Sequence, residues 1–382
     1  MGMTLASHKT KYRWLEGAQI KKIAVLRCNA LGDFIFGLPA LEALRVAYPE
    51  AEIVYLGKTW HAEFLRERPG PVDRVEVVPL SRGVAAPDDT QIDEDPQELE
   101  RFFQRMRSEE FDIAIQMHGG GNYSNPFLKK LNARLTAGLR TEDAVLLDLW
   151  VPYRYYQHEI LRYLELVSIL GARPVSLEPR VVVTDADLEE SFRHIPNTER
   201  RIAVLHPGAG DPRRRWPARY FSELGRRLDE AGMKVVVTGT EPERPLVEEV
   251  LAGAHFEAQN LCGQISIGGL AGLLFRASVV VSNDSGPLHL ASAVGAATVG
   301  IYWCGNMITA GPITQARHRA LISWQTHCLA CGTDITRHDC EHSDSFVSAV
   351  SVDEVARQAF NLLIAQPTRA GAAIQNSGWE KH

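Results

Sequence analysis

Four loops carry side chains that could do chemistry, and each follows an apolar run. In RCNALGD, which opens at Arg27 and closes at Asp33, the run KKIAVL gives way to a glycine and then an aspartate. A connecting turn needs only the glycine, Gly32. A carboxylate at the carboxyl end of a strand stands where open α/β sheets bind their ligands, although an aspartate there can also cap the helix that follows. In VVVSNDSGPLHLA, four apolar or small residues lead to Asn283, Asp284, Ser285, Gly286 and Pro287 before a helical pattern. Pro287 suits the first turn of a helix, and Ser285 or Asp284 suits its cap. Gly286 permits close approach of the backbone. The free N–H groups and positive dipole end of such a helix make an anion site that a diphosphate would fit; a capped helix with no ligand has the same sequence. In LHPGAGDPRRRWP, a strand ends at His206, and a loop with two glycines leads to Arg213, Arg214 and Arg215. Guanidinium forks bind phosphate oxygens bidentately. A run of arginines is often a solvated face, but its place beside a glycine turn at a strand end favours phosphate. In VVVTGTEPERP, Glu241 and Glu243 follow a strand. An acid there can accept hydrogen bonds from ribose hydroxyls or merely start a helix.

Other chemistries are absent from the sequence. No G-x-G-x-x-G follows a strand, and neither G-x-x-x-x-G-K-[ST] nor G-x-S-x-G occurs. These absences argue against an ordinary NAD site, a P-loop and a hydrolase nucleophile elbow. A cysteine cluster, HCLACGTDITRHDCEH, holds Cys328, Cys331 and Cys340 near His327, His338 and His342. C-x2-C is a metal-ligand spacing, and a third cysteine with a histidine could complete four ligands for a structural zinc or iron. With three cysteines rather than four, reduced thiols or an adventitious disulfide are the preferred reading, and the cluster is not expected to do chemistry. Cys28, Cys262 and Cys304 lie in apolar surroundings and read as small core residues.

The elements that must position these loops alternate along the chain. KIAVLRC, EIVYLG, RVEVVPL and FDIAIQMH read as buried strands with helices between them. Leu38, Leu41, Leu44, Arg45 and Tyr48 fall at helical spacing, with Pro39 expected near that helix's start. The acidic stretch at residues 86–98 reads as a surface excursion, and HEILRYLELVSILGA as a helix closing the first half. PVSLEPRVVVTDADLEE reads as the connection. The second half repeats the alternation and ends in the helix SVDEVARQAFNLLIAQ and a polar tail. Alternation of this kind implies an α/β chain with parallel sheets covered by helices. Two such halves in 382 residues predict two Rossmann-like domains facing a cleft, at 1–175 and 176–382, the final helix packing back toward the first domain in one arrangement. The net charge of −6 gives no field for nucleic acid. No apolar run reaches about 20 residues and the start has no signal-like apolar region, so a cytoplasmic protein is expected.

The motifs together resemble a family. L-G-D with a following P-A-L, then H-P-G-A, then basic residues before W-P, then N-D-S-G-P-x-H, are similar in kind and order to glycosyltransferase family nine, the heptosyltransferases, over roughly residues 22–302. The resemblance implies a GT-B fold and an inverting, metal-independent transfer of a sugar from a nucleotide donor, usually ADP-heptose. The receiving group is a hydroxyl of a lipopolysaccharide-core acceptor. It assigns the general base to Asp33, with Arg27 and nearby N–H donors to hold the carboxylate as an anion. Gly32 lets substrate approach the backbone. Donor binding falls to Arg214, Glu241, Glu243, Asp284, Ser285, Gly286, Pro287 and His289; the Ser285 and Gly286 N–H groups would meet the charge of the leaving diphosphate. Arg214 stands where the family usually has lysine, which keeps the charge and changes its geometry. His289 could instead be a packed helical histidine. The first half would bind the acceptor, with His118, Asn122 and Lys129 of HGGGNYSNPFLKK as candidate contacts; a plain glycine turn into a helix is the other reading. Some protein-modifying members carry a four-cysteine iron site near the position of this cysteine cluster. No cofactor is required, the partners are a nucleotide sugar and a lipid-linked or oligosaccharide acceptor, and peripheral contact with the inner membrane is compatible. The same motifs fit another nucleotide sugar, a protein acceptor, a GT-B epimerase or a non-catalytic sugar-nucleotide sensor.

Overall fold

The computed structural model describes residues 19–87, 92–253, 256–338 and 340–365. The chain divides into two compact units, Met1–Leu177 and Glu178–His382. The first is built from β1 (Lys22–Leu26), α1 (Leu31–Ala47), β2 (Glu52–Gly57), α2 (Thr59–Leu65), β3 (Arg74–Val77), α3 (Pro96–Ser108), β4 (Ile113–Gln116), α4 (Ser124–Lys129), β5 (Leu135–Arg140), β6 (Leu149–Pro152) and α5 (Glu159–Ser168). Its six strands lie in the order β3-β2-β1-β4-β5-β6, and every pairing is parallel. The central strands are continuous apolar runs because helices cover both faces of such a sheet. Ile23 to Leu26 and Ile113 to Ile115 are fully buried.

The second unit holds α6 (Asp185–His194), β7 (Ile202–His206), α7 (Ala218–Glu230), β8 (Lys234–Val237), α8 (Arg244–Ala252), β9 (Ala258–Asn260), α9 (Ile267–Arg276), β10 (Val279–Asn283), α10 (Gly286–Ala293), β11 (Thr298–Trp303), α11 (Cys304–Ala310), β12 (His318–Ser323) and α12 (Val352–Ile364). Its sheet runs β12-β11-β10-β7-β8-β9, again all parallel. Counted within each unit, the two orders are the same: 3-2-1-4-5-6, the doubly wound dinucleotide-fold order. In such a sheet the order reverses between the first and fourth strands, and ligands bind past their carboxyl ends. Those ends carry the loops after β1 and β4 in the first unit, and after β7 and β10 in the second.

Several sequence expectations need correction. Pro39 lies in the interior of α1, not near its start. It is tolerated there because α1 is nearly all buried from Phe34 to Leu44 and is held by packing more than by its own ladder. Only RVEV of RVEVVPL forms a strand, an edge strand whose residues are half-buried or exposed. The acidic stretch at 86–98 ends in the first turn of α3, where Asp95 caps by accepting from Gln97 N at 2.8 Å; residues 88–91 lie outside the described residues. The final helix, α12, packs on α7 and the sheet of its own unit, and Arg201 donates to Leu363 O at 3.1 Å. The polar tail lies outside the described residues.

Candidate active-site loops

In the first unit the loop after β1 is organised by one buried guanidinium. Arg27 donates from Nη2 to Asp33 Oδ1 at 2.8 Å and from Nε to Asp33 O at 2.7 Å. Its Nη1 donates to Met117 O at the end of β4 and to Tyr163 Oη on α5. Tyr163 in turn donates to Glu159 Oε2, which lies 3.6 Å from Arg27 Nη2, and Arg162 pairs with the other Glu159 oxygen. The Arg27 guanidinium also stacks 4.5 Å from the Tyr163 ring centroid. Burial pulls the Arg27 pKa down, but Tyr163, Asp33 and Glu159 outweigh it and the net shift is upward. α1 packs against α5, so the helix carrying Asp33 and the helix carrying its distant support are locked together.

Asp33 sits in the first turn of α1. Its Oδ2 accepts from Ala30 N at 3.1 Å. It therefore does cap the helix, yet its side chain is 35% exposed and keeps lone pairs free for a substrate. Gly32 beside it is buried. His118 joins this group: its Nδ1 accepts from Cys28 N at 3.2 Å, leaving Nε2 to carry the neutral ring's proton. Burial, helped by Arg27, lowers the His118 pKa to about 4. Asn122 is placed differently. Its amide bonds with Thr141 at 3.1 Å and Asp143 at 3.4 Å in a neighbouring turn, and Lys129 donates to Leu146 O at 3.5 Å. The triple glycine is conformational in part, since Gly119 and Gly121 adopt φ +62 and +100. Sequence reasoning missed Glu159, Tyr163 and Asn29, whose buried Oδ1 has no partner among the described residues. Asn29 lies inside RCNALGD and was legible as a candidate; nothing local marks Glu159 and Tyr163.

In the second unit the loops after β7 and β10 meet at two bridges. Asn283 accepts from Trp216 N at 2.9 Å and donates to Pro207 O at 2.7 Å. Arg214 donates to Asp284 Oδ2 at 3.2 Å, and the other Asp284 oxygen lies 3.0 Å from His289 Nε2. The three arginines divide their work. Arg213 clamps Asp211, Arg215 donates to Ala209 O, and Arg214 reaches the β10 loop. Ser285 takes the N-cap position of α10, but its hydroxyl meets Ser282 Oγ at 3.0 Å rather than a helix N–H. Asp284 is a charge partner and not the cap. Pro287 stands in the first turn, as expected, after Gly286. Leu288 N already donates to Ser285 O at 3.1 Å and Pro287 has no N–H, so the donors at the mouth of α10 that suit an anion are those of Ser285 and Gly286. Glu241 and Glu243 share a short 3-10 turn at Glu241–Glu243. Glu243 accepts from Thr240 N and Oγ1 at 2.8 Å, and its carboxylate leaves Gly208 no room for a Cβ, which would stand 2.0 Å from Oε1. Glu241 pairs with Arg244 and crowds Gly263 instead. Cys28, Cys262 and Cys304 are buried as read.

The chain matches glycosyltransferase family 9 (heptosyltransferase) over residues 99–340. It belongs to that family. The family match makes it a glycosyltransferase, and its two Rossmann-like units are those of a GT-B fold. Among similar proteins, lipooligosaccharide heptosyltransferase 2 of Haemophilus influenzae is 25% identical over 300 residues, covering 73% of this chain and 82% of that one. The crystal structure of a family 9 glycosyl transferase from Veillonella parvula superposes with TM-score 0.74 at 22% identity, covering 91% of this chain and 99% of that one. The ADP-heptose lps heptosyltransferase II of E. coli superposes with TM-score 0.71 at 19% identity, covering 90% and 99%. Among the described residues no helix is long and apolar enough to cross a membrane.

Proposed function

We propose that this family 9 glycosyltransferase moves heptose from ADP-heptose to a hydroxyl of a lipopolysaccharide-core acceptor, with inversion at the anomeric carbon and Asp33 as general base. The observation that carries the reading is the Asp33 carboxylate itself. It is fixed by Arg27 and Ala30 N, partly exposed, and set at the switch point of its sheet. The names of the relatives above support the donor and the acceptor class.

In this mechanism the first unit binds the acceptor and the second the donor. The acceptor hydroxyl gives its proton to Asp33 as its oxygen attacks the anomeric carbon, because an alcohol is a poor nucleophile while protonated. The bond to the departing ADP oxygen breaks on the opposite face, so one displacement inverts the centre. Charge gathering on the diphosphate is met by the opening N–H groups of α10 at Ser285 and Gly286 and by Arg214, all fixed before reaction. His289 orients Asp284, and Asp284 holds Arg214 until phosphate competes for it. In this reading Glu243, which lies beside the Gly208 turn, accepts from ribose hydroxyls. His118 and Gly32 line the acceptor side. A lipid-linked acceptor would bring the reaction to the cytoplasmic face of the inner membrane; an oligosaccharide acceptor would not require it.

The test is ADP release from ADP-heptose with lipopolysaccharide-core acceptors, comparing the natural protein with Asp33→Asn. Turnover should require acceptor and fall by about 10²–10⁴-fold in the variant, while ADP-heptose affinity stays within a few-fold. A loss smaller than tenfold would remove Asp33 as base. Failure to bind ADP-heptose, with binding of another nucleotide sugar, would overturn the donor.

A further inference from the structure

We infer that Cys328, Cys331, Cys340 and His342 bind one zinc ion, which fastens the segment between β12 and α12 and, through it, the turn that carries Arg214. The ligand atoms of these four residues lie within 4.8 Å of one another. A tetrahedral site with Zn–S bonds near 2.3 Å and Zn–N near 2.0 Å has ligand–ligand edges of about 3.5–3.8 Å. Rotamer adjustments of about an ångström close the set. Three thiolates and an imidazole are a structural zinc donor set, closed and without an open position. The imidazole in place of a fourth sulfur favours zinc over a thiolate-only iron centre.

The backbone is shaped for ligation. Cys328 N donates to Thr333 O at 2.8 Å, Gly332 N donates to Cys328 O at 2.9 Å, and a bridge joins His327 to Asp334. This tight hairpin folds the two cysteines of C-x2-C toward each other. Gly332 at its tip has φ +74, and a Cβ there would meet nothing within 4 Å. The turn, not crowding, demands the glycine.

The ligand-bearing stretch, residues 326–342, has little else to hold it; beyond it Val347 and Val350 join the main core of the unit, where Val350 O accepts from Trp216 Nε1 at 2.8 Å. The apolar cluster about the stretch itself is Cys328, Ile335 and Phe346, with Trp303 and Cys340 partly buried beside them. A core of that size does not offset the ordering of such a loop, and small folds in this position use a metal or disulfide staple. The three cysteines are free thiols here. The link to the donor loop starts three residues beyond His342: Ser345 Oγ donates to Arg215 O and Phe346 N to Arg213 O, each at 2.6 Å. The Arg213 guanidinium lies 5.1 Å from the Phe346 ring centroid. These contacts grip the residues on both sides of Arg214. This second part rests on the proposed donor role of Arg214; the zinc site does not.

The experiment measures metals by plasma mass spectrometry on the full-length protein, purified without added metal, beside Cys331→Ser and His342→Ala. Both substituted residues are exposed, so the variants should fold, which far-UV circular dichroism checks. The expected result is one zinc per chain in the natural protein, at least tenfold less in each variant, and severalfold weaker ADP binding where zinc is lost. Iron at one per chain would overturn zinc. A disulfide among the three cysteines, or no metal with all three thiols reacting as freely as exposed cysteines, would overturn the site. Zinc loss with unchanged ADP affinity would overturn the brace while supporting the site, and Arg214→Ala with unchanged ADP affinity would separately refute the donor reading.

Discussion

Replacing Glu159 by glutamine should destabilise the first unit far more than the loss of a surface acid normally would. Two guanidinium groups, Arg27 and Arg162, have side chains only 3% and 2% exposed. Two carboxylates, Asp33 and Glu159, balance them. Glutamine keeps the shape but offers one acceptor oxygen where Glu159 uses both, accepting from Tyr163 at Oε2 and from Arg162 at Oε1; the change removes an acceptor as well as the charge, and two buried cations remain with one anion. Removing one partner of a buried pair costs about 3–5 kcal/mol. Glu159 has partial access to water, which places the cost near the lower end, at about 3 kcal/mol. In a unit of this size 1 kcal/mol moves Tm by about 2–4 °C, so the shift should be roughly 6–12 °C. The control is Glu52→Gln, whose acid pairs with Arg74 at the surface; such pairs contribute at most about 1 kcal/mol. Calorimetry on the two variants decides the matter. A Glu159→Gln shift no larger than that of Glu52→Gln would refute the charge-balance reasoning, and with it the claim that Arg27 is held from α5.

Other consequences are independent of that one. Burial lowers the pKa of His61 to about 3 and that of His118 to about 4, whereas an unfolded histidine titrates near 6.5. Between those values the unfolded chain takes protons that the folded chain refuses, so stability should fall as pH drops from about 6.5 to 4. Urea midpoints at pH 7 and 4.5 should differ, and by less in His118→Asn; equal midpoints would contradict the buried neutral rings. Arg214→Ala should raise the KM for ADP-heptose by about 10–100-fold, the worth of a charge-assisted hydrogen bond, while Arg214→Lys should stay within a few-fold. Equal kinetics for the natural protein and Arg214→Ala would remove it from the donor site. Gly208→Ala puts a Cβ 2.0 Å from Glu243 Oε1, so it should weaken ADP binding in calorimetric titration without lowering Tm by more than a few degrees. Asn283→Asp loses the donor to Pro207 O and puts a charge in a fully buried position; it should cost about 2–4 kcal/mol in urea unfolding.

The loops were more legible in the sequence than the frame that holds them. Asp33, Arg214 and the N-D-S-G-P run stand out because glycine, proline and charge at a strand end have few purposely structural uses. The apolar runs gave the inner strands, since a parallel sheet covered on both faces demands unbroken apolar stretches. β5, β6, β9 and β12 escaped notice because LTAGLR, LWVP, AQN and HRALIS mix polar or small residues with apolar ones. Their strand character comes from pairing with a neighbour already in place. The division of labour among Arg213, Arg214 and Arg215 was equally hidden. It is decided by Asp211 and Ala209 on the same loop and by Asp284, some 70 residues away. His342 was one of three histidines near the cysteines, and only the fold of the segment selects it.

The contact between Arg27 and Tyr163 spans 136 residues, and that separation bears on how the protein is made. Asp33 leaves the ribosome early, but the helix that fixes its guanidinium partner is translated last in the first unit. At about 5–20 residues per second, the nascent chain carries Arg27 for roughly 7–27 seconds before Tyr163 exists to receive it. For the first 90 residues of that interval, until Met117 O is made, a strongly basic group destined for burial has only Asp33 and water as company. The set of partners around Arg27 is therefore complete only once α5 exists, and a polypeptide arrested before Glu159 would hold every proposed reacting group of that unit yet lack the α5 side of the frame that holds Arg27.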